Sequence, residues 1–138
     1  MSIDVFSQIA WLPVIVGAII YYVLGAIWYS PVLFLKPWLR SQGQDAPVTD
    51  AMAIVVPAVS ILVMSVATGA LAVATASTTL SAGIVLGLTV GIGYACAIAF
   101  LDAGTDRTKP APWTWFAIGA AYHVIGLAIV GALVGAWR

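Results

Sequence analysis

Charged side chains are scarce in this sequence. Asp, Glu, Lys and Arg make up 7% of its 138 residues and apolar side chains 63%, whereas an average soluble domain carries about 25% charged residues. The mean hydropathy, +1.11, is correspondingly high. A composition of this kind excludes an ordinary soluble domain and predicts a membrane protein.

Three further absences remove classes of function. The net charge is zero and no basic stripe occurs, so the sequence lacks the electrostatic signature of a nucleic-acid-binding protein. The single cysteine, Cys96, can form neither an intrachain disulfide nor a CxxC metal or redox pair. The first seven residues contain Asp4 but no Lys or Arg. They therefore lack the basic region of a cleaved signal peptide, and we expect the first apolar segment to be retained.

Four stretches without Asp, Glu, Lys or Arg are long enough to cross about 30 Å of hydrocarbon, which takes roughly 20 helical residues. They cover residues 12–30, 51–75, 80–101 and 113–137. Because hydrocarbon cannot satisfy free backbone groups, each stretch must be helical. We therefore predict an all-α, polytopic integral membrane protein whose four transmembrane helices form an antiparallel bundle. Residues 1–138 make a single membrane domain, with an interfacial segment at 31–40 and a cytoplasmic loop at 102–112.

Basic residues lie only outside these spans. Lys36 and Arg40 follow the first span and Arg107 and Lys109 follow the third, while the opposite side carries Arg138 and the terminal amine. Since cytoplasmic loops carry the excess of Lys and Arg, we expect both termini outside the cytoplasm, in the inner, cytoplasmic membrane of the cell. Basic side chains and tryptophans both favour the membrane–water boundary. At the cytoplasmic boundary they predict interfacial anchors at Lys36, Trp38, Arg40, Trp113 and Trp115.

Small residues recur at every fourth position of the third span, at Gly83, Gly87, Gly91 and Ala95. Within lipid, helices pack closely where such residues let backbones approach. The pattern predicts a helix-packing seam, and it leaves open whether the seam meets another helix of this chain or a second copy.

Polar side chains from three spans share one depth. At 1.5 Å per residue, Tyr22, Tyr94 and His123 lie about 16 to 18 Å from the outer surface, and Tyr122 adjoins them. His123 is the one ionisable residue of the Asp, Glu, Lys, Arg and His group inside a span. It could be a packing residue hydrogen-bonded to Tyr22 or Tyr94, or a proton-linked or ligand-binding residue. Too few partners accompany it for a zinc site, so we predict no metal and no cofactor.

Two short segments resemble one another, YYVLG at residues 21–25 and YHVIG at residues 122–126. They run in opposite directions through the predicted membrane, as the halves of an inverted repeat do. A match of five positions in so apolar a sequence is weak evidence, and we attribute it to chance.

Two longer segments, LGAIWYSPVLFLKPWLR at residues 24–40 and WFAIGAAYHVIGLAIVGALVGAW at residues 115–137, resemble the DUF1761 family of small membrane proteins. The resemblance implies four membrane spans. Because the function of that family is unknown, it implies no activity and no catalytic residue. The most specific matching residues are Trp28, Tyr29, Pro31, Lys36, Pro37, Trp38, Tyr122, His123, Gly126, Gly131 and Trp137.

No catalytic constellation is visible in the sequence, so an enzyme is the least supported class and we name no catalytic residue. The packing signals favour a non-enzymatic interaction protein, either a homo-oligomer or an accessory subunit of a membrane complex. Its partners would be the lipid bilayer and itself or another membrane protein, without nucleic acid. The alternative is a small channel or proton-linked transporter using His123, Tyr22 and Tyr94. A pocket for an unidentified small molecule would lie at the cytoplasmic end, near Trp28, Tyr29 and Pro31.

Overall fold

The computed structural model of this protein describes residues 3–137, and those residues form helices and turns without a strand. Arg138, used above for orientation, lies outside the described residues. A short 3₁₀ helix, Ile3–Gln8, comes first. Six α-helices follow: α1 (Trp11–Trp28), α2 (Leu35–Ser41), α3 (Met52–Ala74), α4 (Leu80–Val90), α5 (Ala97–Thr105) and α6 (Pro112–Ala136). A π-helical segment, Gly91–Cys96, joins α4 to α5.

Four helices are long and apolar enough to cross a membrane, as the sequence predicts. They are α1, α3, the continuous helix Leu80–Thr105 and α6, with mean hydropathy between 1.9 and 2.3. The shortest of them, α1, has 18 residues and is therefore about 27 Å long. The prediction of an all-α chain with four long apolar helices is confirmed.

The chain turns sharply after α1 because proline follows it. The N–H groups of Tyr29 and Ser30 still donate to Gly25 and Ile27, at 2.9 and 3.1 Å. Pro31 has no N–H and disfavours a helical conformation at the residue before it. A turn then leads into α2, which packs against α6.

The central helix of the structure is α6, which contacts each of the other five α-helices. Half of its most apolar window is buried, against 28% for α1 and α3 and 11% for the helix Leu80–Thr105. The largest side chains without exposed surface lie on α1 and α6 and include Tyr21, Val14, Leu127, Val130 and Val134. The core of the protein therefore lies along α6.

The predicted seam on α4 meets α6 of the same chain. A Cβ atom on Gly83 would lie 2.1 Å from the carbonyl oxygen of Gly131, and one on Gly87 would lie 2.2 Å from that of Leu127. Gly91 continues the contact beside Val124, whose Cα would be 2.9 Å away. The alternative that the sequence leaves open is thereby decided for these glycines, because α6 already occupies the face that a second copy would need.

The two halves of α3 differ in their surroundings. Its C-terminal half contains the buried residues of the helix, Ile61, Ser65, Thr68, Gly69, Ala70 and Ala72. A Cβ on Gly69 would approach Val14 of α1 to 2.7 Å, so the two helices are in close contact there. In contrast, residues 51–60 are all exposed, and α3 shares at most a marginal contact with α5. The helix thus diverges from its neighbours towards its N-terminal end.

Candidate functional site

A cleft of about 840 Å³ lies at the end of the structure where α3 diverges. Its walls come from α1, α3, α5 and α6, with Trp38 of α2 and Ala95 of the π-helical segment completing the lining. The tight turn after α1 brings α2 to this end, and the space is left unfilled where α3 and α5 share at most a marginal contact. The cleft is therefore a direct consequence of how these helices end and diverge.

The wall from α3 is almost entirely apolar. Its lining residues are Ala53, Val56, Pro57, Ser60, Ile61 and Met64. They recur at helical spacing, so they form one stripe along the helix. Only Ser60 adds a polar side chain, and this wall can therefore accommodate a hydrocarbon body.

The wall from α1 carries two tyrosines with small residues between them. Tyr22, Gly25, Ala26 and Tyr29 are spaced as i, i+3, i+4 and i+7, which places them on one helix face. Neither the Tyr22 nor the Tyr29 hydroxyl group has a hydrogen bond to any other described residue. This wall thus offers two free phenolic donors beside the cleft.

Three aromatic side chains join α1 to α6 at the deep end of the cleft. The Tyr21 hydroxyl group and Nδ1 of His123 share a hydrogen bond of 2.5 Å. The Tyr122 hydroxyl group donates to the backbone carbonyl of Tyr21 at 3.2 Å. Tyr21 is fully buried and does not line the cleft, whereas Tyr122 and His123 do.

The prediction that Tyr22 or Tyr94 bonds to His123 is wrong, because the partner is Tyr21. Counting residues along a helix gives a depth but not the direction of the side chain around the axis. Tyr22 lies at the right depth and lines the cleft, but Tyr94 is 67% exposed and does not line it. Tyr94 belongs to the π-helical segment, whose wider turn changes the direction of each side chain from that of an α-helix.

The two segments that resemble one another in sequence pack against one another reciprocally. The Tyr21 ring lies on Gly126, where a Cβ atom would be 2.1 Å from it. Tyr122 lies on Gly25, where a Cβ would be 2.6 Å from the phenolic oxygen. Each tyrosine therefore occupies the space left by the glycine of the other segment. The internal similarity that we attributed to chance is thus a sequence signal that pairs Tyr21 with the segment containing His123.

Aromatic rings also surround the end of the cleft next to α2. Tyr29 and Trp38 have ring centroids 4.8 Å apart, and Trp38 and Trp115 are stacked at 5.8 Å. Trp28 instead packs on Phe34 and donates its indole N–H to the carbonyl of Ile118 at 3.1 Å.

Of the pocket residues predicted at this end, only Tyr29 lines the cleft. Trp28 lies outside the lining and bonds to Ile118 of α6, and Pro31 is exposed. Two predicted anchors, Trp38 and Trp115, face the cleft. The other three, Lys36, Arg40 and Trp113, are exposed.

An ion-pair network lies at the rim of the cleft beside Trp115. Lys109 Nζ lies 3.0 Å from the Asp102 carboxylate, bonds also to Asp106, and sits 4.5 Å above the Trp115 ring centroid. The hydrogen bonds to these carboxylates raise the pKa of Lys109. Hydrogen bonds from Lys109 and Thr108 lower the pKa of Asp106. Asp102, the acidic residue of the lining, is thus neutralised by a lysine of this chain.

No group of three or more His, Cys, Asp or Glu side chains comes together among residues 3–137. Cys96 is a free, partly buried thiol. The site therefore combines an apolar wall, phenolic hydroxyl groups, one imidazole and a neutralised carboxylate.

The family model described as "Protein of unknown function (DUF1761)" matches residues 12–135. The chain belongs to the DUF1761 family. The match covers most of the chain and confirms the resemblance seen in its two terminal segments. Comparisons with curated proteins and with solved structures find no match.

The segments that carry the DUF1761 resemblance meet in the structure. The first forms the end of α1, the turn and α2, and the second forms most of α6. They contact one another where Trp28 bonds to Ile118 and where the Trp38 ring approaches Gly119, at 3.5 Å from the position of a Cβ. Of the residues most specific to the DUF1761 pattern, Tyr29, Trp38, Tyr122 and His123 thus line the cleft, whereas Gly131 packs against α4.

Proposed function

We propose that this DUF1761 protein is a multi-pass membrane protein that binds a hydrophobic or amphipathic small molecule between α3 and α5. The observation that carries the proposal is the cleft of about 840 Å³. Small-molecule sites typically occupy about 300–1,000 Å³ and combine mostly apolar walls with a few polar groups. The cleft has this size and this lining, and residues 3–137 place no catalytic constellation in it, so the proposed role is non-enzymatic.

The proposed placement in the membrane follows from the apolar surface and the positions of the basic residues. The exposed N-terminal half of α3 carries Ile54, Val55, Val56 and Val59, which suit contact with acyl chains. Basic residues lie between the long helices at the cleft end, with Lys36 and Arg40 in α2 and Arg107 and Lys109 between α5 and α6. By the positive-inside rule, the cleft end of the protein faces the cytoplasm. The protein would then lie in the inner membrane with both termini on the side away from the cytoplasm. The cleft would then open sideways to the cytoplasmic leaflet.

The orientation can be tested by labelling with a membrane-impermeant maleimide in a Cys96→Ala background. Thr78→Cys, in the connection between α3 and α4, should react in intact cells. Thr108→Cys, in the connection between α5 and α6, should react only after the membrane is permeabilised. The reverse pattern would place the cleft end outside and contradict the proposed topology.

A binding role accounts for the site better than an interaction role based on the glycine seam. Gly83, Gly87 and Gly91 are already engaged by α6, so they do not present a docking face for a second copy. An assembly through another surface would be compatible with the cleft, and its partner would be this protein itself or another membrane protein.

Transport is the second candidate, because His123 lines the cleft and is hydrogen-bonded to α1 through Tyr21. A bound molecule and an imidazole at one site are the components that proton-linked transport needs. Such transport predicts pH-dependent flux into liposomes. Unchanged flux after His123→Ala would exclude this role for the histidine while leaving binding in the cleft intact.

Binding can be tested in lipid nanodiscs with a photoreactive alkyl probe that carries a diazirine on its chain. Crosslinked residues are located by mass spectrometry. We expect labelling to concentrate on the cleft side of α3, at Ile61 and Met64, over Leu62 and Val63 on its exposed side. Even labelling around α3 would contradict a specific site.

Two tryptophan variants, one that fills the cleft and one that does not, form a matched test and control. Ala99→Trp replaces a lining residue of α5, whereas Ala97→Trp adds the same side chain at an exposed position outside the lining. The first should abolish labelling of Met64 and the second should leave it unchanged. Ala95→Phe fills the cleft with a smaller ring if the first variant does not fold. Equal labelling in filled and control proteins would overturn the proposed function.

A further inference from the structure

We infer that the molecule bound in the cleft is an uncharged amphipathic lipid whose polar group accepts a hydrogen bond, such as an ester or ketone carbonyl. This inference rests on the proposed function and names the class of its ligand. The donors, the charges and the shape of the cleft each contribute to it.

The donors are the hydroxyl groups of Tyr22 and Tyr29. Both side chains line the cleft, and neither hydroxyl group has a partner within the part of the chain that the structure describes. They lie two helical turns apart on one face, at about 10 Å along α1. A phenolic donor left unpaired in an apolar surrounding costs free energy, so an acceptor on a bound molecule would stabilise the complex.

The other polar groups of the deep end are engaged except for Nε2 of His123, which has no hydrogen bond to a described residue. Tyr122 donates its proton to the backbone of Tyr21, and Nδ1 of His123 is bonded to the Tyr21 hydroxyl group. Two unpaired phenolic donors thus lie on the α1 side of the cleft, where Tyr22 shares the lining with His123 and the Tyr29 ring packs beside Trp38. A carbonyl group on the Gly25 and Ala26 face would accept from either of these tyrosines.

The charges of the rim disfavour an ionic ligand. Asp102 is paired with Lys109, which also binds Asp106 and lies over the Trp115 ring. An anionic or cationic head would have to break this network or remain without a counterion in an apolar site, and a buried unpaired charge is strongly unfavourable. A neutral head requires neither.

The shape of the cleft provides for an apolar tail. Val56, Pro57 and Met64 belong to the stripe on α3 that faces the donor wall of α1. Because α3 and α5 share at most a marginal contact, a chain could extend between them into the bilayer. A lipid lying with its carbonyl group on α1 and its chain along α3 would match both walls.

The test uses four photoreactive probes that share one diazirine-bearing alkyl chain and end in a methyl ester, a carboxylate, a trimethylammonium group or no polar group. Labelling of Met64 is measured against probe concentration in nanodiscs. We expect the ester to bind most tightly. The double variant Tyr22→Phe, Tyr29→Phe should weaken its binding about tenfold, to the level of the headless probe, because the hydrogen bond to the ester is lost whichever tyrosine donates it.

Tyr94→Phe is the matched control, because it removes the same hydroxyl group from an exposed tyrosine outside the cleft. It should leave ester binding unchanged. The infrared stretch of a ¹³C-labelled ester carbonyl gives a second measurement. It should shift to lower wavenumber on binding to the natural protein but not to the double variant, which reports the hydrogen bond itself rather than stability.

The remaining outcomes separate the inference from the proposed function. Equal labelling by all four probes, unaffected by the tyrosine variants, would overturn the inference and leave binding in the cleft standing. Preference for the carboxylate probe that depends on Lys109, or for the ammonium probe that depends on Asp102, would also overturn it. If a small soluble ketone competes with the ester as well as a diacylglycerol does, the ligand is not a lipid. Absence of cleft labelling by every probe would overturn the proposed function as well.

Discussion

The two ends of the helix assembly are built from side chains of opposite size. At one end, which we term the closed half, Gly83, Gly87 and Gly131 bring α4 and α6 into backbone contact, and Gly69 of α3 packs on the Val14 side chain of α1. At the other, the open half, Tyr29, Trp38 and Trp115 stand between the helices beside a cleft of about 840 Å³. Glycine permits close approach, whereas aromatic rings keep backbones apart. The difference shows how one short chain can combine a rigid base with a space for a ligand.

Helix α3 takes part in both halves and makes the contrast clearest. Its C-terminal half is buried against α1 and the 3₁₀ helix, while residues 51–60 are exposed throughout. Because the helix is continuous, firm packing at one end sets the direction of the other. Four changes test the contrast between the closed half and the open half.

The largest effect is expected from Gly87→Ala in the closed half. The new Cβ would lie 2.2 Å from the carbonyl oxygen of Leu127, a backbone atom that cannot move aside without separating α4 from α6. We expect a loss of about 3 kcal/mol in the free energy of unfolding, measured by denaturant titration in micelles. Gly93→Ala is the control, since a Cβ there has nothing within 4 Å. Equal stability of the two variants would show that α4 and α6 are not in backbone contact.

A second change compares the same substitution in the two halves. Ala72 is fully buried in the closed half, whereas Ala99 borders the cleft. Ala72→Leu should cost about 1–3 kcal/mol because the site has no spare volume. Ala99→Leu should change stability by no more than about 0.5 kcal/mol. If Ala99→Leu is the more destabilising of the two in the same titration, the open half is closed in solution.

The third change separates neighbouring tyrosines at the boundary of the halves. Tyr21→Phe removes the hydrogen bond to His123, and polar bonds between membrane helices contribute about 0.6 kcal/mol on average and up to about 1.7. Tyr22→Phe removes a hydroxyl group without a partner among residues 3–137 and should leave stability unchanged. Thermal unfolding of both proteins measures the difference. A greater loss in Tyr22→Phe would restore the original prediction that Tyr22 bonds to His123.

The smallest effect concerns the rim of the open half. Because Lys109 and Thr108 lower the pKa of Asp106 below its ordinary value of 3.8, its contribution to stability is present above that pH. It is lost as the pH falls through the lower folded value. Lys109 has a raised pKa, so its contribution is lost only as the pH rises through that value. Carbon NMR of the Asp106 carboxyl group should show the low pKa, and Lys109→Met should move it towards 3.8.

The sequence predicts some residues of the cleft correctly and others wrongly. Tyr22, Tyr122, His123 and Tyr29 were named from the sequence and line the cleft. Tyr94 was named for its depth alone, and the π-helical segment turns it outwards. Residue counting gives distance along a helix axis, but it does not give the direction around that axis once the helical repeat changes.

The sequence by itself determined the four long apolar helices, because hydrocarbon-length runs without charge have one stable backbone solution. It also determined which face of α4 would pack closely, because small side chains at every fourth position permit backbone contact wherever a partner is found. Only the tertiary structure decided that the partner is α6, that Tyr21 rather than Tyr22 meets His123, and that α3 diverges from α5. These features depend on contacts between distant segments, and such contacts follow from how helices cross rather than from any local pattern.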